Sequence, residues 1–136
     1  MIDHLSLGVA DLDRAAALYD AALGALGYVR LAHNARSVCY GHPGFTGEAP
    51  FAILHVGPAA NPANRGLHLA LVAPNRASVD GFHAAALRHG AIDDGPPGTR
   101  SHYGPGYYAA FVIDLDGHRI EAVVHEVVAE AAREGA

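Results

Sequence analysis

The chain has few of the features that mark disulfide-bonded, secreted or membrane-spanning proteins. Its only cysteine is Cys39, so no internal disulfide can form. No apolar run approaches the roughly 18 residues that a spanning helix needs. The N-terminus lacks the basic start and apolar stretch of a signal peptide. We therefore expect a cytoplasmic protein that does not insert into a membrane; the alternative is a secreted protein without disulfides, which would have the same cysteine content.

Basic residues are also scarce. The chain has 9 Lys and Arg against 14 Asp and Glu, a formal net charge of −5. Nucleic-acid binding needs a concentrated basic face, and here the basic residues are scattered singly. There is no Trp, but 51% of the 136 residues are apolar, which is enough for a real core. We expect one compact domain or two very small fused ones.

Two segments of the chain are similar to each other. Residues 2–28 read IDHLSLGVADLDRAAALYDAALGALGY, and residues 67–91 read LHLALVAPNRASVDGFHAAALRHGA. Each has a His followed by Leu-x-Leu, then a small polar turn and an Ala-rich segment that closes on Gly. The histidines, His4 and His68, match at an offset of 64 residues (68 − 4). This internal repeat predicts two copies of one structural module.

Each copy is predicted to form a strand, a helix and three further strands, an α+β fold of two repeated βαβββ modules around a shared cleft. Alternation predicts the strands, and helical spacing after the N-caps Asp11 and Ser78 predicts the helices. We expect module 1 at about 1–57, a linker at about 58–66, module 2 at about 67–125 and a helical tail at 126–136. The predicted later strands are 28–32, 37–40, 51–56, a short piece near 91–93, 107–113 and 119–125.

Three residues form a candidate metal site. His4 and His68 occupy equivalent points on the first strand of each module, and Glu121 lies on the last strand. Two imidazoles and one carboxylate bind divalent Fe, Mn, Ni, Co or Zn and leave positions open for a substrate. The alternative is that the histidines are ordinary hydrogen-bonded side chains and that Glu121 is solvated. The unpaired histidines are taken as surface or turn residues: His33, His42, His83, His89, His118 and His125.

The segment 95–108, GPPGTRSHYGPGYY, is a candidate pocket wall. Its Gly and Pro content predicts a defined loop rather than a regular element. His102 and Tyr103 are candidate catalytic acids or bases. The candidate substrate-binding residues are Arg100, which can bind a carboxylate or phosphate, and Tyr107 and Tyr108. The alternative is a surface loop whose tyrosines cover a sheet edge. Cys39 is interpreted as a small buried residue rather than a nucleophile.

Over nearly its whole length, the chain resembles a known family, the vicinal oxygen chelate superfamily, and its two ends carry the clearest motifs. The opening DHLSLGVADLDRAAALYDAALGALGY is similar to that family's first strand and helix. The closing YYAAFVIDLDGHRIEAVVH is similar to its aromatic–x–Asp–Pro–Asp–Gly–x–x–Ile–Glu ending, with Leu115 where Pro is usual. The superfamily includes glyoxalase I, bleomycin-resistance proteins, fosfomycin-resistance thiol transferases and extradiol dioxygenases.

The resemblance implies paired βαβββ modules, a homodimer, and a divalent metal (Zn, Ni, Mn or Fe) held by His4, His68 and Glu121. Glyoxalase I enzymes carry a second glutamate on the last strand of module 1. The matching stretch here, PFAILHVG at 50–57, contains no acid. This departure argues against glyoxalase I activity and leaves His55 as an optional fourth ligand.

Two functions therefore remain open. The first is a metal-dependent enzyme that acts on a small oxygen-chelating molecule by lyase, isomerase, thiol-transferase or dioxygenase chemistry. Dioxygenase chemistry ranks below the others, because extradiol enzymes of this type are usually much longer. The second is a protein that binds a small molecule without turning it over, as bleomycin-resistance proteins do.

Overall fold

The structure is a computed structural model, and it describes residues 1–127. Glu126 and Val127 lie outside any helix. The rest of the predicted helical tail, 128–136, lies outside the described residues. No helix within residues 1–127 has the length and apolarity needed to cross a membrane.

The first module folds as predicted into a strand, a helix and three strands. Its elements are β1 (Leu5–Val9), α1 (Leu12–Ala25), β2 (Val29–His33), β3 (Ser37–Gly41) and β4 (Phe51–His55). They form a four-stranded sheet in the order β1-β4-β3-β2, in which β1 runs parallel to β4. The alternation of buried Leu7 and Val9 with more exposed neighbours gives β1 one buried face and one open face.

The second module repeats this arrangement. Its elements are β5 (Leu69–Val72), α2 (Arg76–Arg88), β6 (Ile92–Thr99), β7 (Tyr107–Ile113) and β8 (Arg119–His125). The sheet order is β5-β8-β7-β6, and β5 runs parallel to β8. Short 3-10 helices lie at Gly57–Ala59 and Ser101–Tyr103. The predicted fold of two βαβββ modules is confirmed.

The prediction of the second helix start was wrong by three residues. Asp11 caps α1 as expected, accepting from the backbone N–H of Arg14. The N-cap of α2 is Asn75 instead. Its side-chain oxygen accepts a hydrogen bond from the backbone N–H of Ser78. Asn and Ser are similarly good capping residues, so composition alone does not distinguish them.

The prediction that residues 95–108 form a loop was also wrong in part. Strand β6 runs for eight residues through the Gly-Pro-Pro-Gly sequence to Thr99. Within residues 1–127 it is an edge strand that pairs with β7 alone, and its register shifts around Gly95 and Gly98. Proline lacks a backbone donor and is tolerated on an edge strand or at a bulge, which explains how Pro96 and Pro97 fit there.

The two modules share one hydrophobic core. The helices α1 and α2 pack against each other, and buried side chains of both modules form a single cluster. Each helix covers the inner face of its own sheet. The other face of each sheet, here called the open face, therefore points away from the shared core.

Buried hydrogen bonds also join the modules. The Tyr19 hydroxyl in α1 donates to Asp114 Oδ2 at 2.6 Å. Asp114 accepts as well from the backbone N–H groups of Asp116 and His118, at 2.9 and 2.8 Å. The His118 Nε2 lies 2.8 Å from the Gly8 carbonyl oxygen of β1. The LDGH segment that carries much of the family resemblance thus acts in this chain as a structural connection between modules.

Candidate functional site

The register of β5 and β8 brings two predicted metal ligands together. Ala70 pairs with Glu121, and His68 comes directly before β5. The His68 Nε2 lies 3.2 Å from Glu121 Oε1. The Glu121 side chain is only 1% exposed, whereas that of His68 is 53% exposed. A buried carboxylate therefore faces an accessible imidazole on the open face of the second sheet.

The second oxygen of this carboxylate also has a partner. The Tyr107 hydroxyl donates a short hydrogen bond to Glu121 Oε2. Burial and this hydrogen bond raise the pKa of Tyr107 above its usual value. Tyr107 begins β7, and its pairing places it on the open face with Ala109 and Phe111. Of the two predicted substrate-binding tyrosines, Tyr107 is the one beside the predicted metal ligands.

An aromatic cluster surrounds Tyr107. The Tyr103 ring lies 5.1 Å from the Tyr107 ring, and the His102 ring lies 4.1 Å from Tyr103. His125 approaches Tyr107 edge-on at 4.8 Å. The structure thus gathers the predicted catalytic pair, His102 and Tyr103, at the edge of the same site. Sequence reasoning missed His125, although it lies four positions beyond Glu121 on one strand and so on the same face.

Arg100, a predicted substrate-binding residue, follows β6 and contacts the backbone and Phe111 near the end of that strand. Its guanidinium donates to the carbonyl oxygens of Pro96 and Thr99, at 2.6 and 3.4 Å. It also lies over the ring of Phe111, 5.5 Å from the centroid. These bonds stabilise the irregular end of β6. They use two of the five N–H donors of the guanidinium.

Tyr108, the other predicted substrate-binding tyrosine, lies on the opposite face of the sheet from Tyr107 and Glu121. Its hydroxyl donates to Asp80 in α2 at 2.6 Å, and Arg76 covers its ring at 4.7 Å. Successive strand residues point to opposite faces. A molecule bound beside Tyr107 and Glu121 would therefore not reach Tyr108.

His4 lies apart from the other two predicted ligands. It directly precedes β1, as His68 precedes β5, and its side chain is half exposed. Its Nδ1 lies 2.7 Å from Asp3 Oδ1, and this hydrogen bond raises the pKa of His4. Within residues 1–127, no group of three or more His, Cys, Asp or Glu is close enough to hold a metal ion. One chain therefore brings His68 and Glu121 together without His4.

The first module has no acid at the position that corresponds to Glu121. Ser6 pairs with Ala52 as Ala70 pairs with Glu121. Ala52 therefore occupies the equivalent position. His55, the optional fourth ligand, pairs with Val9 at the far end of β1, about 16 Å along the strand from His4. At this separation, His4 and His55 of one chain cannot hold one ion together.

The fold can be compared with known proteins. A family model described as the Glyoxalase/Bleomycin resistance protein/Dioxygenase superfamily matches residues 1–122. The chain belongs to this superfamily. A glyoxalase/bleomycin resistance protein from Albidiferax ferrireducens T118 is 33% identical, with 89% of this chain and 95% of that chain covered and a TM-score of 0.75.

A glyoxalase-related enzyme from Fulvimarina pelagi is 20% identical, with 90% of this chain and 86% of that chain covered and a TM-score of 0.68. At that identity the likeness shows the fold alone. No protein of curated function matches the chain. Membership of the superfamily is thus shown, and the activity within it has to be argued from the site.

Proposed function

We propose that this protein is a divalent-metal-dependent enzyme that acts on a small, oxygen-chelating molecule at a site shared by two copies of the chain. In each site, one copy would supply His68 and Glu121, and the other would supply His4. The observation that carries this proposal is the Glu121 carboxylate, 1% exposed and facing the His68 imidazole.

A buried carboxylate needs compensation, because taking a charge out of water is costly unless it is paired or coordinates a metal. Glu121 has one neutral donor, Tyr107, and one imidazole as its partners. One carboxylate and two imidazoles are the donor types that suit Zn, Ni, Mn or Fe. The chemistry of these side chains therefore fits a divalent ion.

His4 has the local arrangement of a metal-binding histidine. Metal-ligating histidines usually donate their other ring N–H to a carboxylate or carbonyl. With the proton on Nδ1, His4 donates to Asp3, which leaves Nε2 for a ligand. Because the open faces point away from the shared core, His4 of a second copy is better placed to approach His68 and Glu121 than His4 of the same chain. Such a contact is that of a homodimer with two equivalent sites.

The chain's residues assign further roles. When bound, a metal would polarise an oxygen of the substrate as a Lewis acid. Because Ala52 supplies no fourth ligand, the site would keep positions open for two substrate oxygens. Tyr103 and His102 lie at the edge of this site and could donate or accept a proton there. The aromatic cluster would shield the substrate from water.

A second candidate is supported by a different observation. The open faces carry exposed apolar side chains, among them Leu54 and Val72 at 39% and 69% exposure. The aromatic cluster borders the open face of the second module. A groove between two such faces could hold an apolar molecule without metal, as a binding protein would. The two candidates differ in whether the site needs a metal.

Elemental mass spectrometry on untagged protein tests the proposal, together with light scattering for the oligomeric state. We expect a dimer with about one Zn, Ni, Mn or Fe per chain, which is lost in His68→Ala. The exposed His42, whose ring packs against Tyr28, provides the control His42→Ala, which should keep its metal. A wild-type protein that binds none of these ions after reconstitution would favour the metal-free binding protein. The cytoplasmic location expected from the sequence stays a prediction.

A further inference from the structure

The hydrogen bond between Tyr107 and Glu121 joins positions that are not neighbours in the sheet. Tyr107 pairs with His125, and Glu121 pairs with Phe111. The two rows are four residues apart, about 13 Å along the strand. To meet, the Tyr107 side chain has to lie along the sheet, over the row formed by Ala109 and Val123. These two residues are 0% and 5% exposed although they belong to the open face.

The sequence leaves room for this conformation. Ala109 is small, so a phenol ring can lie above it. The ring is held from two sides, by Tyr103 at 5.1 Å and by His125 at 4.8 Å. A ring with a fixed position directs its hydroxyl to one point, and that point is Glu121 Oε2. The carboxylate therefore has one oxygen bound to Tyr107 and the other, Oε1, turned toward His68.

From this geometry we propose that Tyr107 is a positioning residue, which holds Glu121 in the rotamer that presents Oε1 beside His68 for metal binding. The inference rests on the proposed function, since it needs a metal at His68 and Glu121. Tyr107 would act through Glu121 rather than on the substrate. Without the hydroxyl, Oε2 is a buried acceptor with no donor, and the carboxylate gains by rotating away from the position it holds.

The variant Tyr107→Phe removes only the hydroxyl and keeps the ring between Tyr103 and His125. The matched control is Tyr108→Phe, which removes a hydroxyl from the next residue on the opposite face. We would titrate Co²⁺ into the metal-free full-length protein and record both the affinity and the visible absorption spectrum of the bound ion. Far-UV circular dichroism would check that each variant is folded.

We expect Tyr107→Phe to bind Co²⁺ about 10- to 100-fold more weakly than wild type, the usual range for loss of a residue that orients a ligand. Its Co²⁺ spectrum should change, because the geometry of the carboxylate ligand changes. Tyr108→Phe should match wild type in both measurements.

Two outcomes overturn the inference, and they can be distinguished. If wild type binds Co²⁺ and Tyr107→Phe binds it with the same affinity and spectrum, Tyr107 does not position Glu121, and the proposed function is unaffected. If wild type binds no Co²⁺ at all, the metal-dependent function and this inference fail together.

Discussion

The substitution Tyr19→Phe tests whether buried polar contacts hold the two modules together. Tyr19 is 1% exposed, and its hydroxyl donates to the buried carboxylate of Asp114 at 2.6 Å. Hydrogen bonds to charged groups contribute about 1.5–3 kcal/mol to folding. We therefore expect Tyr19→Phe to lower the free energy of unfolding by about 2 kcal/mol. For 136 residues, this corresponds to a decrease in Tm of about 7 °C.

Urea unfolding followed by far-UV circular dichroism is the suitable assay, because the chain has no Trp. The control is Tyr28→Phe, whose hydroxyl donates to the neutral Val72 carbonyl at 3.1 Å and should cost about 1 kcal/mol or less. Equal losses in the two variants would refute the reasoning. The bond to Asp114 would then be no more important than an ordinary partly exposed one.

Three further predictions follow from the site and its surroundings. The variant Ala52→Glu should bind metal more tightly and leave fewer open coordination positions on the ion, because it adds a carboxylate at the position equivalent to Glu121. An unchanged Co²⁺ affinity would contradict this. Burial raises the pKa of Asp114, so its stabilising effect is complete below about pH 4 and is lost as pH rises through the raised pKa. The free energy of unfolding of wild type relative to Asp114→Asn should therefore fall across that range, and a constant difference would count against it. Arg100→Lys should lower stability by about 1 kcal/mol, because the bond to the Pro96 carbonyl is weakened, and should leave metal content unchanged; loss of metal would show a direct role in the site.

The fold was predictable from the sequence because the internal repeat and the strand alternation are local signals. The bounds of β7 and β8 agree with the predicted strands 107–113 and 119–125. The extent of β6 was not predictable in this way. Its residues read as a loop, and they pair because β7 offers a free edge to them, which is a tertiary effect.

The candidate site was predictable in part. Equivalent positions in a repeat pointed to His4 and His68, and the closing motif pointed to Glu121. The contact of Tyr107 with Glu121 was not predictable. Their positions are two residue rows apart on the open face, and only the side-chain conformations bring the hydroxyl to the carboxylate. The separation of His4 from Glu121 within one chain depends on how the modules pack. The repeat specifies each module but not the direction in which its open face points.

Mixing two variants that each lack one proposed metal ligand would test the proposed shared site most directly. His4→Ala and Glu121→Gln should each bind no metal as pure dimers. If each site takes His4 from one copy and Glu121 from the other, a mixed dimer contains one intact site. After the two variants are unfolded together and refolded, about a quarter of the wild-type metal content should return, because half of randomly formed dimers are mixed. No recovery of metal, with mixed dimers confirmed by native mass spectrometry, would contradict a site shared between two copies.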